Sequence, residues 1–309
     1  MPNDLPFYSF NHYLKKLFNK RVYKISIDGG FTCPNRDGTK GFGGCIFCDG
    51  SGSSSKTNKM GTSITDQIKE NIKVRKKRYR AEKFIAYFQS FSNTYDNIDS
   101  LKKKYDEALK ADENIIGLSI ATRADCIDEE KLNLIASYKE KLPYVTVEYG
   151  MQSCHNQTLK AINQGSTHEE FTKAVEMTKK MGLDVIAHII LNLPNETTKM
   201  QLQTADRLAQ MDISGVKIHL LTACINTELE KLYNAAHWHP YSFEEYIQLV
   251  CDILERLPAN YVIHRITGGA HPLKTIAPTW LYSKKDEVIK ATVDTLIKRK
   301  TKQGAKCLF

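Results

Sequence analysis

The chain has 309 residues, 41% of them hydrophobic and 26% charged, which is a globular composition with enough material for one large domain or two smaller ones. No apolar run is long enough to cross a membrane, and the N-terminus lacks the basic and apolar regions of a secretory signal, so a cytoplasmic protein with reduced thiols is expected. The net charge of +9 favours a polyanionic partner. In chain order, hydrophobic patterning predicts a strand over Val22–Ile27 that enters a glycine-rich loop. A helix follows over 63–80, with Ser63 or Thr65 as its cap. A short apolar run at 84–88 precedes a helix at 99–110, and a strand at 115–121 precedes a helix at 128–139. The strand at 144–149 leads to helical pieces at 156–163 and 168–181. The strand at 183–191, ended by Pro194, leads to a helix at 197–211, and the strand at 215–221 to a helix starting at 228–235. This alternation implies βαβ units on a parallel sheet. About six units are too few for a closed eight-stranded barrel, so the expected fold is α/β, a partial (β/α)6 TIM-like barrel over residues 1–240. Its chemistry would sit at the C-terminal strand ends. After Pro240 the pattern changes to a helix at 242–256, a strand at 261–266, a Gly268-Gly269 turn and a helix at 284–300. This reads as a C-terminal extension, residues 241–309, packed on the barrel. The Gly- and Ser-rich stretch 50–55 reads as a flexible loop beside the cysteines.

Cys33, Cys45 and Cys48 carry most of the information, in the spacing C-x11-C-x2-C. A structural zinc site takes four ligands, and so does the cluster of a small electron carrier; three thiolates on a four-iron cluster leave one iron open. Glycines at 29, 30, 38, 41, 43 and 44 let the backbone wrap around a bulky group. The alternative is a zinc knuckle whose fourth ligand is distant, such as Cys126, Cys154 or a histidine, although the long first gap is unlike a zinc knuckle. Cys126, Cys154, Cys224, Cys251 and Cys307 show no paired spacing and read as ordinary thiols; Cys224, after a strand end, is the one placed to face a substrate. Lys217 and His219 share one face of their strand and are candidates for substrate contact. Three basic runs suit a phosphate backbone, although each alone reads as a solvated face. Residues 73–80 carry six positive charges, residues 298–302 carry four, and Lys15, Lys16 and Lys24 add to the early segment.

Several segments together resemble a known family. They are Ser26-Ile-Asp-Gly-Gly-Phe-Thr-Cys-Pro-Asn-Arg-Asp-Gly-Thr39, Gly44-Cys-Ile-Phe-Cys48, Tyr87-Phe-Gln-Ser-Phe-Ser-Asn-Thr-Tyr95, Ile120-Ala-Thr-Arg-Ala-Asp125, Val147-Glu-Tyr-Gly-Met-Gln-Ser153 and His188-Ile-Ile-Leu-Asn-Leu-Pro-Asn-Glu-Thr197. With these the chain resembles the radical S-adenosylmethionine (radical SAM) enzymes, in the YtqA/YhcC-like group related to the radical-SAM subunit of Elongator. The resemblance implies that Cys33, Cys45 and Cys48 hold a [4Fe–4S] cluster and that the amine and carboxylate of SAM chelate its open iron. One electron, passed on by a donor such as flavodoxin or ferredoxin, would split the sulfonium. The resulting 5′-deoxyadenosyl radical would abstract hydrogen from an unreactive C–H bond. The resemblance also implies positions around SAM: Phe47 near the adenine; Gln89, Ser90, Asn93 and Thr94 near the methionine amine; Arg123, with Asp125, at a strand end that suits a polar ligand; Glu148 and Gln152 at the end of the fourth strand; and His188 in the adenosine pocket. It assigns no catalytic residue. The kinship implies tRNA as substrate, modified on a wobble-uridine side chain. A small molecule or peptide substrate is the alternative, as is a non-catalytic zinc or iron–sulfur nucleic-acid-binding protein. The chain departs from the family pattern at Asn192 and Asn195, where glycine is usual, and at Gln164, where an arginine often follows the asparagine. It departs again at Ala223-Cys-Ile-Asn-Thr227, which lacks the family lysine.

Overall fold

The computed structural model describes residues 5–50, 62–271 and 273–309; the predicted loop at 51–55 lies outside them. The strands are β1 (Val22–Ile27), β2 (Lys83–Phe88), β3 (Ile115–Thr122), β4 (Tyr144–Gln152), β5 (Asp184–Leu191), β6 (Gly215–Leu220), β7 (Ala223–Cys224), β8 (Val262–Arg265) and β9 (Thr275–Ala277). Seven of them form one parallel sheet in the order β1-β2-β3-β4-β5-β6-β8, curled into an open half-barrel. Strand alternation sorts the side chains. Ile25, Ile27, Phe88, Leu118, Val147, Val185 and Ile218 join the apolar layer beneath the helices. Lys24, Tyr87, Ser119, Glu148, His188 and Lys217 meet one another on the opposite, inner face.

The helices are α1 (Phe10–Phe18), α2 (Ile64–Tyr79), α3 (Ile98–Lys110), α4 (Glu129–Ser137), α5 (Asn156–Ala161), α6 (His168–Lys180), α7 (Thr198–Ala209), α8 (Glu228–Asn234), α9 (Phe243–Arg256) and α10 (Val288–Lys298). None of them is long and apolar enough to cross a membrane. Ser63 caps α2 by accepting from the Asp66 backbone N–H, as the sequence predicted. Capping boxes open α6 (Thr167 with Glu170) and α9 (Ser242 with Glu245).

Two features differ from expectation. Nothing in the sequence reading assigns a helix before β1, yet α1 packs against both edge strands, β1 and β8. The Ile263 N–H donates to the Tyr8 carbonyl at 2.8 Å, and the Phe10 ring stacks on His264 at 4.1 Å. The segment after residue 240 also does more than pack on the barrel. Its strand β8 pairs in parallel with β6 as the seventh strand, while α9 and α10 pack on each other. The short β7 and β9, unassigned from sequence, pair antiparallel through Ala223 and Ala277.

Candidate active site

The cysteine loop follows β1 and is clamped over the turn after α5. Asn35 donates through its side-chain amide to the Asn163 carbonyl, and Asn163 donates back to the Gly44 carbonyl at 2.8 Å. The Ile46 N–H reaches the Ile162 carbonyl at 3.1 Å. Gly165, after that turn, has φ +68°, and a Cβ there would stand 2.8 Å from Asn35 Oδ1, so a larger residue would break the clamp. Lys40 pairs with Asp125 at 2.7 Å, and Asp125 pairs with Arg123 at 2.9 Å, which ties the loop to the end of β3. Held in this way, Cys33, Cys45 and Cys48 line one wall of a cavity of about 210 Å³ at the C-terminal strand ends. Arg36 and Arg123 line it too, and Arg36 Nη1 approaches Cys48 Sγ at 3.6 Å. Burial pushes the Cys45 thiol up to about 12, with Arg123 acting in the opposite direction. Among the described residues, no three His, Cys, Asp or Glu side chains stand close enough to hold one metal ion.

The cavity floor is polar. Glu148, fully buried on β4, accepts from Ser119 Oγ at 2.6 Å, His188 Nε2 at 2.7 Å, Lys217 Nζ at 3.0 Å and Lys24 Nζ. Despite its burial, the Lys217 and Lys24 ammoniums and His188 hold the Glu148 carboxyl well below the usual range. Burial, with Lys217 close by, pushes His188 down to about 4, so the neutral ring donates to Glu148. Lys217 also donates to the Tyr87 hydroxyl at 2.8 Å, and burial pushes its ammonium down to about 7. His219 lies 5.2 Å from His188, ring to ring.

Of the residues placed around SAM by resemblance, Phe47, Gln89, Arg123, Glu148, Gln152 and His188 line the cavity, and Lys217 and His219 join them. Ser90, Asn93 and Thr94 are buried but do not line it. Asn93 instead donates to the Ala121 carbonyl at 2.7 Å, and Thr94 Oγ1 donates to the Cys126 carbonyl at 2.6 Å. Cys224 sits in the small β7–β9 ribbon with its thiol 3.8 Å from Thr275 Oγ1, outside the cavity lining. Asn192 and Asn195 adopt φ 70° and 64°, the left-handed conformation that glycine would supply. Gln164 accepts from the Cys45 thiol at 3.2 Å. Sequence reasoning gave no role to Arg36, Tyr87 and Arg265, although each lies in a segment that resembles the family, and it counted Lys24 in a surface basic run. Lys24 instead turns inward, because the alternation of β1 places it and Ser26 opposite Ile25 and Ile27. That alternation was the available signal.

The family model described as the Radical SAM superfamily matches residues 33–208, and that described as the Radical_SAM C-terminal domain matches residues 213–295. Uncharacterized protein YtqA of Bacillus subtilis (strain 168) is 36% identical over 298 residues, which is 96% of this chain and 92% of that protein. The tRNA uridine(34) acetyltransferase of Methanocaldococcus infernus is 29% identical over 159 residues, 48% of this chain and 28% of its own length. Among solved structures, archaeal M. infernus Elp3 with an N-terminal deletion superposes with a TM-score of 0.67 at 18% identity, covering 92% of this chain and 64% of that one.

Proposed function

The chain belongs to the radical SAM superfamily, whose enzymes use a [4Fe–4S] cluster and S-adenosylmethionine, and we propose that Cys33, Cys45 and Cys48 hold the cluster here. The observation that carries this reading is that all three thiols share one cavity wall with Arg36, Arg123 and Gln152. Three thiolates, with no fourth cysteine in the cavity lining among the described residues, suit a four-iron cluster with one open iron better than a closed structural zinc site. When bound, the cluster and SAM supply an electron and a 5′-deoxyadenosyl radical, with electrons delivered by a flavodoxin or ferredoxin. The chain's own residues do the rest. Phe47, packed against the apolar group containing Leu159 and Ile162, offers an aromatic face beside the cysteines. Gln89, Arg123 and Gln152 offer polar contacts, and His188 stays neutral as a donor fixed on Glu148. The loop clamps hold the half-buried thiols at the cavity wall.

Its substrate, in this proposal, is tRNA, modified at a wobble-uridine side chain. The partial similarity to a tRNA uridine(34) acetyltransferase and the exposed basic run on α2 support this reading. Anaerobic reconstitution tests the chemistry. A brown protein with about four irons that cleaves SAM under dithionite is expected, whereas a colourless protein holding one zinc would end the reading. Mass spectrometry of tRNA nucleosides from a deletion strain tests the substrate: a missing modified uridine is expected, and an unchanged nucleoside profile would reject tRNA.

A further inference from the structure

The cavity floor holds more cations than anions. The charged and titratable side chains that face it are Tyr87 from β2, Glu148 from β4, His188 from β5, Lys217 and His219 from β6, and Arg265 from β8; Lys24 from β1 lies behind them on Glu148, with His264 and Tyr144 nearby. Glu148 is the one carboxylate among these residues, and Lys24, His188, Lys217 and Ser119 already engage it. Arg265 reaches the cavity with no ion pair among the described residues, and its charge disfavours both nearby ammoniums. His219 Nε2 is sealed from solvent and has no hydrogen-bond partner. A buried unpaired polar nitrogen is costly until it is bonded, and the buried Lys217 keeps its charge beside a guanidinium at a cost until an opposite charge joins it.

We propose that Lys217, His219 and Arg265 form a site for an oxyanion, a carboxylate or phosphate carried by the substrate. The inference rests on the radical SAM reading. There the open iron engages SAM's own carboxylate, while adenosine is uncharged and the sulfonium is positive. No oxyanion of SAM is then left for the floor, and a neutral or cationic substrate would leave His219 Nε2 and the Arg265 guanidinium without one. A bound oxyanion restores the Lys217 ammonium, accepts from Arg265, and gives His219 Nε2–H an acceptor.

Isothermal titration of the reconstituted, SAM-loaded protein with sodium acetate and, separately, sodium phosphate tests the proposal, with sodium chloride of equal ionic strength as control. Saturable binding of at least one probe is expected, with chloride silent. Preference for phosphate assigns the group to a phosphorylated substrate, and preference for acetate assigns it to a carboxylic acid. Acetate stays ionised throughout, so its affinity should fall about tenfold from about pH 6 to about pH 9 as Lys217 loses its proton. Arg265→Gln, on an exposed side chain that keeps the fold, should weaken binding about tenfold, and Lys217→Met should do the same where its unfolding midpoint permits. No saturable binding by either probe, or wild-type affinity in Arg265→Gln, would overturn the site. Iron content and SAM cleavage of the same wild-type preparation report separately on the radical SAM reading, so one can fail while the other stands.

Discussion

Glu148 shows how a charged residue survives complete burial. Four donors converge on it from β1, β3, β5 and β6, so its charge is both paired and hydrogen-bonded. Removing that charge leaves two lysines inside the barrel without a counter-ion. Glu148→Gln should therefore destabilise the apoprotein by about 3–5 kcal/mol, read by urea unfolding, and Glu148→Gln combined with Lys24→Met should recover part of the loss. A loss below about 1 kcal/mol would show that the lysines find water instead. The same cluster sets a pH dependence. Lys217 titrates near 7 in the fold and near ~10.4 unfolded, so the unfolded chain binds more protons between those values. Stability should rise with pH across that window, and Lys217→Met should flatten the rise. His188, pushed to about 4, adds a second rise from there to its unfolded value of about 6.5. A flat urea midpoint across both windows would contradict the cluster. Motif and alternation pointed to Glu148, His188, Lys217 and His219 in the sequence. Lys24 was legible only in the alternation of β1, while Tyr87 and Arg265 were not, because a single tyrosine or arginine in a short strand reads as an ordinary solvent-facing side chain. The curling of the sheet turns Tyr87 inward and brings the exposed Arg265 to the cavity.

At the level of elements, the turn after β5 carries the test of the chain's departures from its family. Asn192 and Asn195 sit at φ 70° and 64°, where a Cβ strains most side chains but asparagine is tolerated. Asn192 does more than adopt the turn: its side-chain amide donates to the His239 carbonyl at 3.0 Å, and its own carbonyl accepts from Trp238 Nε1 at 2.8 Å. Among the described residues, Asn195 makes no such side-chain hydrogen bond. Thermal unfolding should therefore leave Asn195→Gly within about 0.5 kcal/mol of wild type, while Asn195→Val costs about 1–2 kcal/mol. Asn192→Gly should cost about 1 kcal/mol through its lost hydrogen bond. Equal effects of glycine and valine at 195 would rule out a conformational cause. Helices such as α2, α6 and α9 were legible because a capping side chain precedes a periodic apolar face. Helix α1 was hidden because its nine residues hold lysines that read as a charge run, and its apolar face matters only once β1 and β8 lie beneath it. Strands of two and three residues, like β7 and β9, are too short to show any period.

At the scale of the whole molecule, the net charge of +9 is not spread as the sequence alone implied. The parallel alternation of strand and helix was legible, because it is written locally in each unit. The seventh strand's place beside β6 was not, because pairing across a sheet leaves no local mark. Charge follows the same logic. Lys24 is buried on Glu148, Arg299 of the C-terminal run is held by Asp252 at 2.8 Å and Glu255 at 3.3 Å, and Lys306 is held by Glu255. The exposed basic residues of α2 have no ion pair among the described residues: Lys73, Lys76, Lys77 and Arg78, followed by Arg80 at its cap. If a phosphate backbone docks on this protein, α2 carries the longest exposed run to meet it, beside the exposed Lys15 and Lys16 and Lys298, Lys300 and Lys302. Lys73 and Lys77 stand one turn apart on the same face. Lys73→Glu with Lys77→Glu should lower total-tRNA affinity about tenfold in a mobility-shift assay and reduce the slope of log affinity against log salt by about 2, since each lost phosphate contact releases roughly one fewer counter-ion. The urea midpoint should stay near wild type, because neither side chain is buried. An unchanged salt slope would take α2 out of the interface and leave the exposed lysines of the terminal runs, Lys15, Lys16, Lys298, Lys300 and Lys302, and the cavity with Arg36 and Arg265, as the routes for a polyanion.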